Sequence, residues 1–223
     1  MNPAALVFDA YGTLFDVHAV VERCESFWPG KGAQLSQLWR AKQLEWSWQR
    51  SLMRRYAPFG QLTRDALAYA CEALGLACDD ARATALLDEY RRLALYPDVA
   101  DALARLHADG FGLAILTNGS PDMIVPLVAH HGMQSLFDAV LSVDEVKLYK
   151  PAPEVYRLAA KRFGLPSNAI GFVSSNGWDA LGAKAFGFRV WWINRGGAPL
   201  DRLGFALDGQ LAGLGELPAA LAA

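Results

Sequence analysis

One aspartate, Asp9, stands where the apolar run Leu6-Val7-Phe8 stops, followed by Ala10-Tyr11-Gly12 and the hydroxyl of Thr13. The run reads as a buried strand, and in open α/β sheets reactive groups collect at the carboxyl ends of strands. Gly12 lets the chain turn sharply there. A carboxylate mounted in this way suits nucleophilic catalysis through a covalent intermediate. The plainer alternative is an aspartate that merely precedes a turn.

Four later segments carry further chemistry. Leu116-Thr117-Asn118-Gly119-Ser120 follows an expected strand and offers a hydroxyl, an amide and turn N–H groups, although such a turn is also common punctuation. Lys150-Pro151 precedes an expected helix containing Tyr156; proline suits a helix start, whereas a lysine near Asp9 would be its counter-ion. Phe172-Val173-Ser174-Ser175-Asn176-Gly177-Trp178-Asp179 is another strand-to-helix junction. Arg40 and Leu44 are four apart, so they share a helix face and present a cation beside an apolar group. Such an arginine can equally well lie over its surface neighbours. Beside Trp178, it would make a cradle for a departing anion.

These groups need a scaffold that brings strand ends together. The pattern predicts strands ending at Asp9 and over 112–117, 139–142, 169–174 and 189–193. Helices are predicted over 99–108, 121–131, 153–163 and 178–186. This is an α/β fold, a Rossmann-like doubly wound parallel sheet. Residues 17–96 break the rhythm, with helical patterns around 35–56, 63–74 and 79–92 and no strand, and read as an inserted helical cap subdomain. Residues 1–16 and 97–223 form the core domain. The aromatic stretch Trp39, Trp46, Trp48, Tyr56, Phe59 suits packing, and also an apolar lid that excludes water from Asp9.

The 223 residues can hold such a core and a small insertion. A net charge of −2 supplies no field to draw nucleic acid or an anionic membrane, and Arg54-Arg55 and Arg91-Arg92 read as solvated helix faces. No apolar run reaches the length of about 18 residues needed to span a membrane, and no signal peptide is expected. Cys24, Cys71 and Cys78 lack Cys-x-x-Cys spacing and suit reduced thiols in a cytoplasmic protein. His18, His107, His130 and His131 lack metal-site spacing, and there is no Gly-x-Ser-x-Gly elbow.

The segment around Asp9 resembles the Asp-x-Asp-Gly-Thr nucleophile motif of the haloacid dehalogenase superfamily, except that Tyr11 replaces the second aspartate. In phosphatase members that second acid protonates an alkoxide leaving group, whereas halide, a very weak base, needs no such help. Ser175 and Asn176 likewise stand where phosphatase relatives carry acids for Mg²⁺, and they offer too few anionic oxygens for a hard cation. With the Leu38-Trp39-Arg40 segment, Lys150-Pro151 with Tyr156, and Ser174 through Asp179, the whole chain is similar to the (S)-2-haloacid dehalogenases.

The resemblance implies a cytoplasmic homodimer with no cofactor and no metal, acting on a small 2-haloacid. Asp9 would attack C2 with inversion, turning an (S)-2-halo acid into an (R)-2-hydroxy acid through an ester that water then hydrolyses. Asp179 would activate that water, supported by Lys150, Ser174 and Asn176. Thr13, Thr117 and Tyr156 would fix the nucleophile and the substrate carboxylate, and Arg40 and Asn118 would receive the halide. Tyr11, Leu44, Phe59 and Trp178 would be apolar walls. The rival readings are a phosphatase or phosphonate hydrolase of the same superfamily, and a non-catalytic binding protein on the same fold.

Overall fold

The computed structural model describes residues 2–222. Strands β1 (Ala5–Phe8), β2 (Gly112–Thr117), β3 (Ala139–Ser142), β4 (Ile170–Ser174), β5 (Arg189–Ile193) and β6 (Gly209–Leu211) form one sheet in the order β3-β2-β1-β4-β5-β6, with every pairing parallel. Every residue of β1 and β4 is buried, which explains why their sequences are unbroken by charge: both faces of a central parallel strand are covered.

The covering helices are α5 (Val99–Ala108), α6 (Pro121–His130), α7 (Pro153–Phe163), α8 (Gly177–Phe186) and α9 (Leu217–Ala222). Right-handed crossovers running from β1 outward to β3 put α5 and α6 on one face, and those running from β3 back across to β5 put α7 and α8 on the other. Consistently, α7 packs on α8 and α9 returns against α5.

Between β1 and α5 lie α1 (His18–Phe27), α2 (Gly32–Met53), α3 (Phe59–Ala73) and α4 (Asp80–Glu89), with no named strand among them. Helix α2 buries Leu35, Trp39, Gln43 and Ser47, a stripe at four-residue spacing. Trp39 Nε1 donates to the Thr63 carbonyl at 2.7 Å, locking α2 to α3. The end of α2 and the loop after it are tied to the sheet side: Tyr149 N donates to Ser51 Oγ at 2.9 Å, Tyr149 OH donates to the Ala57 carbonyl, and Tyr56 OH donates to Asp144. The two connections out and back run side by side, with Asp16 N donating to the Ala94 carbonyl at 2.8 Å and Tyr96 N to the Leu14 carbonyl at 3.1 Å.

Several boundaries depart from the sequence pattern. Helix α2 begins before residue 35 and stops at Met53, where Arg54 turns left-handed, rather than running to 56. Helix α3 starts directly after Pro58, which supplies a fixed φ at its N-cap. Helix α1 gave no periodic signal, since only Val20 and Cys24 of its ten residues are buried. Strand β6 is three residues long with none fully buried, too short for alternation to register.

Candidate active site

Strand β1 lies between β2 and β4, and the crossovers leave this pair of neighbours in opposite directions, so the crevice above β1 and β4 is the topological switch point where α/β sheets bind ligands. Asp9 extends β1 into it, its N–H donating to the Val173 carbonyl at 2.9 Å, and Ser174 ends β4 alongside. Gly12 then adopts a φ of +84°, a conformation that turns the chain back so that Thr13 Oγ1 donates to Asp9 Oδ2 at 2.8 Å. Asn176 Nδ2 donates to the same oxygen at 2.9 Å, and Ser174 Oγ approaches it at 3.4 Å. Oδ2 is thus crowded with donors, whereas Oδ1 is held by Lys150 Nζ at 3.0 Å.

Lys150 is fully buried, follows Tyr149 in the approach to α7, and precedes Pro151 through a cis peptide bond. Its ammonium also contacts Asp179 Oδ2 at 2.9 Å and lies over the Phe172 ring. Asp179, in the first turn of α8 and fully buried, accepts from Tyr156 OH at 2.8 Å and Ser174 Oγ at 3.1 Å. Both partners of this pair have raised pKa values. Burial disfavours the Lys150 ammonium, but the attraction of Asp179 and Asp9 overcomes it. For Asp179, burial and the charge of Asp9 outweigh what one shared ammonium returns, and its carboxyl is raised to about 6.

At the end of β2, Thr117 Oγ1 accepts from Gly119 N at 3.0 Å and so shapes the turn, and Asn118 Oδ1 accepts from Lys150 N at 3.0 Å. Tyr11 is buried against Tyr90, whose hydroxyl meets Gln43 of α2. Arg40, one turn before Leu44 on α2, is half-buried like Leu44 and makes no ion pair or hydrogen bond among the described residues; its charge acts on Tyr11 and Tyr90. Phe59 is buried against Tyr149.

Trp178 packs edge-on against Trp48, while the charge of Arg40 acts on Tyr11. Tyr156 is fully buried behind Asp179 and its hydroxyl donates to that residue, so it positions Asp179. A groove of about 930 Å³ shares Trp178 with the site, but no catalytic carboxylate lines it: Trp48, Leu52, Tyr149 and Pro151 do. Among the described residues no group of three or more His, Cys, Asp or Glu is placed to hold a metal ion.

Two residues in the site were not singled out for the roles they have. Ser175 N donates to Thr13 Oγ1 at 2.9 Å and Ser175 Oγ donates to the Gly12 carbonyl at 2.7 Å, so the residue that replaces a metal acid braces the nucleophile turn. Arg195, just beyond β5, donates to the Gly12 and Thr13 carbonyls at 3.3 and 3.2 Å, reaches Asp98 at 3.4 Å and stacks over Tyr96. It ties the nucleophile turn to the returning connection.

An aspartate at the switch point of a parallel sheet, with a buried lysine on its carboxylate and a helical insertion after the first strand, points to a hydrolase class. The haloacid dehalogenase-like hydrolases match residues 3–187, and the chain belongs to that family. More narrowly, it is 50% identical over 209 residues to the (S)-2-haloacid dehalogenase of Pseudomonas sp. (strain YL), covering 94% of this chain and 90% of that one. A crystal structure of an L-2-haloacid dehalogenase superposes with a TM-score of 0.98 at 45% identity, covering 100% of both chains. The L-2-haloacid dehalogenase of Xanthobacter autotrophicus with chloropropionic acid covalently bound superposes with a TM-score of 0.91 at 42% identity, covering 99% of this chain and 98% of that one.

Proposed function

We propose that this hydrolase is an (S)-2-haloacid dehalogenase, converting short (S)-2-haloalkanoates into (R)-2-hydroxyalkanoates through an ester on Asp9. The observation that carries the reading is the pairing of Asp9 with Lys150 and Asp179 beside a position, Tyr11, that holds no acid for a basic leaving group.

Asp9 Oδ1, the oxygen with fewer donors, attacks C2 from behind the carbon–halogen bond as the halide leaves with the bonding electrons, inverting the centre. Arg40, unpaired among the described residues, and the amide of Asn118, whose oxygen alone is engaged among them, receive the halide. Thr117 and the turn N–H groups hold the substrate carboxylate. Water then attacks the Asp9 carboxyl carbon, with negative charge building on Oδ2, where Thr13 and Asn176 already donate. Asp179 takes the water proton and returns it to the departing alkoxide, assisted by Lys150 and Ser174.

In the same reading residues 17–96 form a cap over the core of 1–16 and 97–223, with Leu44, Phe59 and Trp178 as apolar walls that exclude water. The reaction uses no metal and no cofactor, because the ammonium and the hydrogen-bond donors supply the positive field. We assign the enzyme to the cytoplasm as a homodimer without nucleic-acid or membrane partners; no described helix is long and apolar enough to cross a membrane.

Chloride release from the separate enantiomers of 2-chloropropionate after exhaustive chelation tests this function. Turnover of the (S) enantiomer alone, undiminished by the chelator, is expected. Strict dependence on added Mg²⁺, with phosphate esters as the better substrates, would make it a phosphatase, and no turnover of any of these would leave the binding-protein reading.

A further inference from the structure

The hydroxyl of Tyr11 is buried and has no hydrogen-bond partner among the described residues. The side chain is 5% exposed, wedged edge-on against Tyr90 with ring centroids 5.9 Å apart. Buried hydroxyls are almost always paired, and phenylalanine would fill this volume without leaving a polar atom unmet. An acceptor is therefore missing from the surroundings of Tyr11.

Two other donors nearby lack one as well. Arg40 has no ion pair or hydrogen bond among the described residues, and its charge acts on Tyr11. Asn118 spends its oxygen on Lys150 N, and no acceptor among the described residues meets its amide nitrogen. Tyr11 lies against the residue that follows Asn118: a Cβ built on Gly119 would sit 2.8 Å from Tyr11 Cε2 and 3.3 Å from its hydroxyl oxygen. A guanidinium, an amide and a phenol without acceptors are complementary to an anion that carries no proton of its own.

We infer that Tyr11 is a third halide donor, its O–H hydrogen-bonding the leaving group together with Arg40 and Asn118. The inference rests on the dehalogenase reading and deepens it: Tyr11 is a catalytic donor as well as a wall. As the lone pair of Asp9 forms the C2–O bond, the C2–halogen bond breaks, its electron pair goes to the halide, and Tyr11 keeps its proton throughout. Burial, with Tyr90, Asp122 and Asp9 nearby, holds the phenol far above its ordinary range, so it donates without ionising. The position that holds a proton-transferring acid in phosphatases would thus hold a donor that does not transfer.

Tyr11→Phe keeps the ring and removes only the O–H. Ester formation on Asp9, followed by intact-protein mass spectrometry in single turnover, should slow by about 10- to 100-fold with (S)-2-chloropropionate, less than the loss of a sole donor because Arg40 remains. The loss should be severalfold smaller with (S)-2-bromopropionate, since the larger, softer ion accepts a weaker hydrogen bond. Inhibition by added chloride should weaken, and the Tm should hold or rise because an unmet polar group is gone. Unchanged rates, equal losses with both halogens, or a lowered Tm accompanying the loss would overturn the assignment. Those outcomes with an active wild-type enzyme refute Tyr11 alone, whereas a wild-type enzyme that releases no halide refutes the dehalogenase reading itself and this inference with it.

Discussion

The carboxylates of Asp9 and Asp179 share one ammonium, Lys150 Nζ lying 3.0 Å from Asp9 Oδ1 and 2.9 Å from Asp179 Oδ2. One positive charge between two negative ones holds both acids in place without fully neutralising either. Asp179, sealed from solvent, has its affinity for a proton increased, which is what a base for water requires.

Replacing Asp179 with Asn should therefore slow ester hydrolysis more than ester formation, because a halide leaves without an acid but the attacking water must lose a proton. General-base assistance is typically worth about 10²–10⁴-fold, enough to make the second step limiting. An adduct on Asp9 should then appear with substrate in intact-protein mass spectrometry and clear slowly. A mutant that never forms the adduct would place Asp179 in the first step.

The pH dependence has a definite sign. In the free enzyme Asp179 titrates near 6 against an ordinary value of 3.8, raised by burial and by the charge of Asp9; esterifying Asp9 removes that charge, so ester hydrolysis should fall only as the pH drops below about 6. The folded chain takes up this proton before an unfolded chain does, so over that interval the group adds to stability as the pH falls. Lys150 has the same direction at the other end: its stabilisation is complete below its ordinary 10.5 and is lost only as the pH rises through its higher folded value. An acid limb of the deacylation rate below about pH 6, with unchanged near-UV circular dichroism, is expected; loss of rate that tracks unfolding would contradict it.

Arg195 positions the nucleophile turn through the Gly12 and Thr13 carbonyls, and it is part-exposed. Arg195→Ala should destabilise by about 1–2 kcal/mol, the worth of a few hydrogen bonds at a partly solvated site, and should lower kcat about tenfold with little change in KM, because Thr13 would lose its alignment on Asp9. Arg195→Lys should restore part of the stability and little of kcat, since an ammonium cannot span two carbonyls as a planar fork does. Equal recovery of both would make Arg195 structural only.

Much of this was legible from local pattern. Strand ends carry their own signal, so Asp9, Thr117 and Ser174 could be placed from apolar runs that stop, and the core helices from periodicity. The functions of Ser175 and Arg195 depend on which strands are neighbours. Ser175 follows β4, paired with β1, and Arg195 follows β5, so their contacts with Gly12 and Thr13 arise from sheet order. The contact of Tyr156 with Asp179 arises in a similar way: its helix packs on α8, which brings its hydroxyl to Asp179. The neighbours of Arg40 depended on how α2 is rolled, which its own periodicity does not fix.

The central claim is that Asp9 forms an ester which water opens at the carboxyl carbon, and single turnover in ¹⁸O-water tests it most directly. With enzyme in excess over (S)-2-chloropropionate, the account predicts that the label enters Asp9, detected in the peptide containing Leu6-Val7-Phe8-Asp9, while the 2-hydroxy acid is released unlabelled. Label in the product of the first turnover, with Asp9 unlabelled, would mean that water attacks C2 directly and would contradict the account.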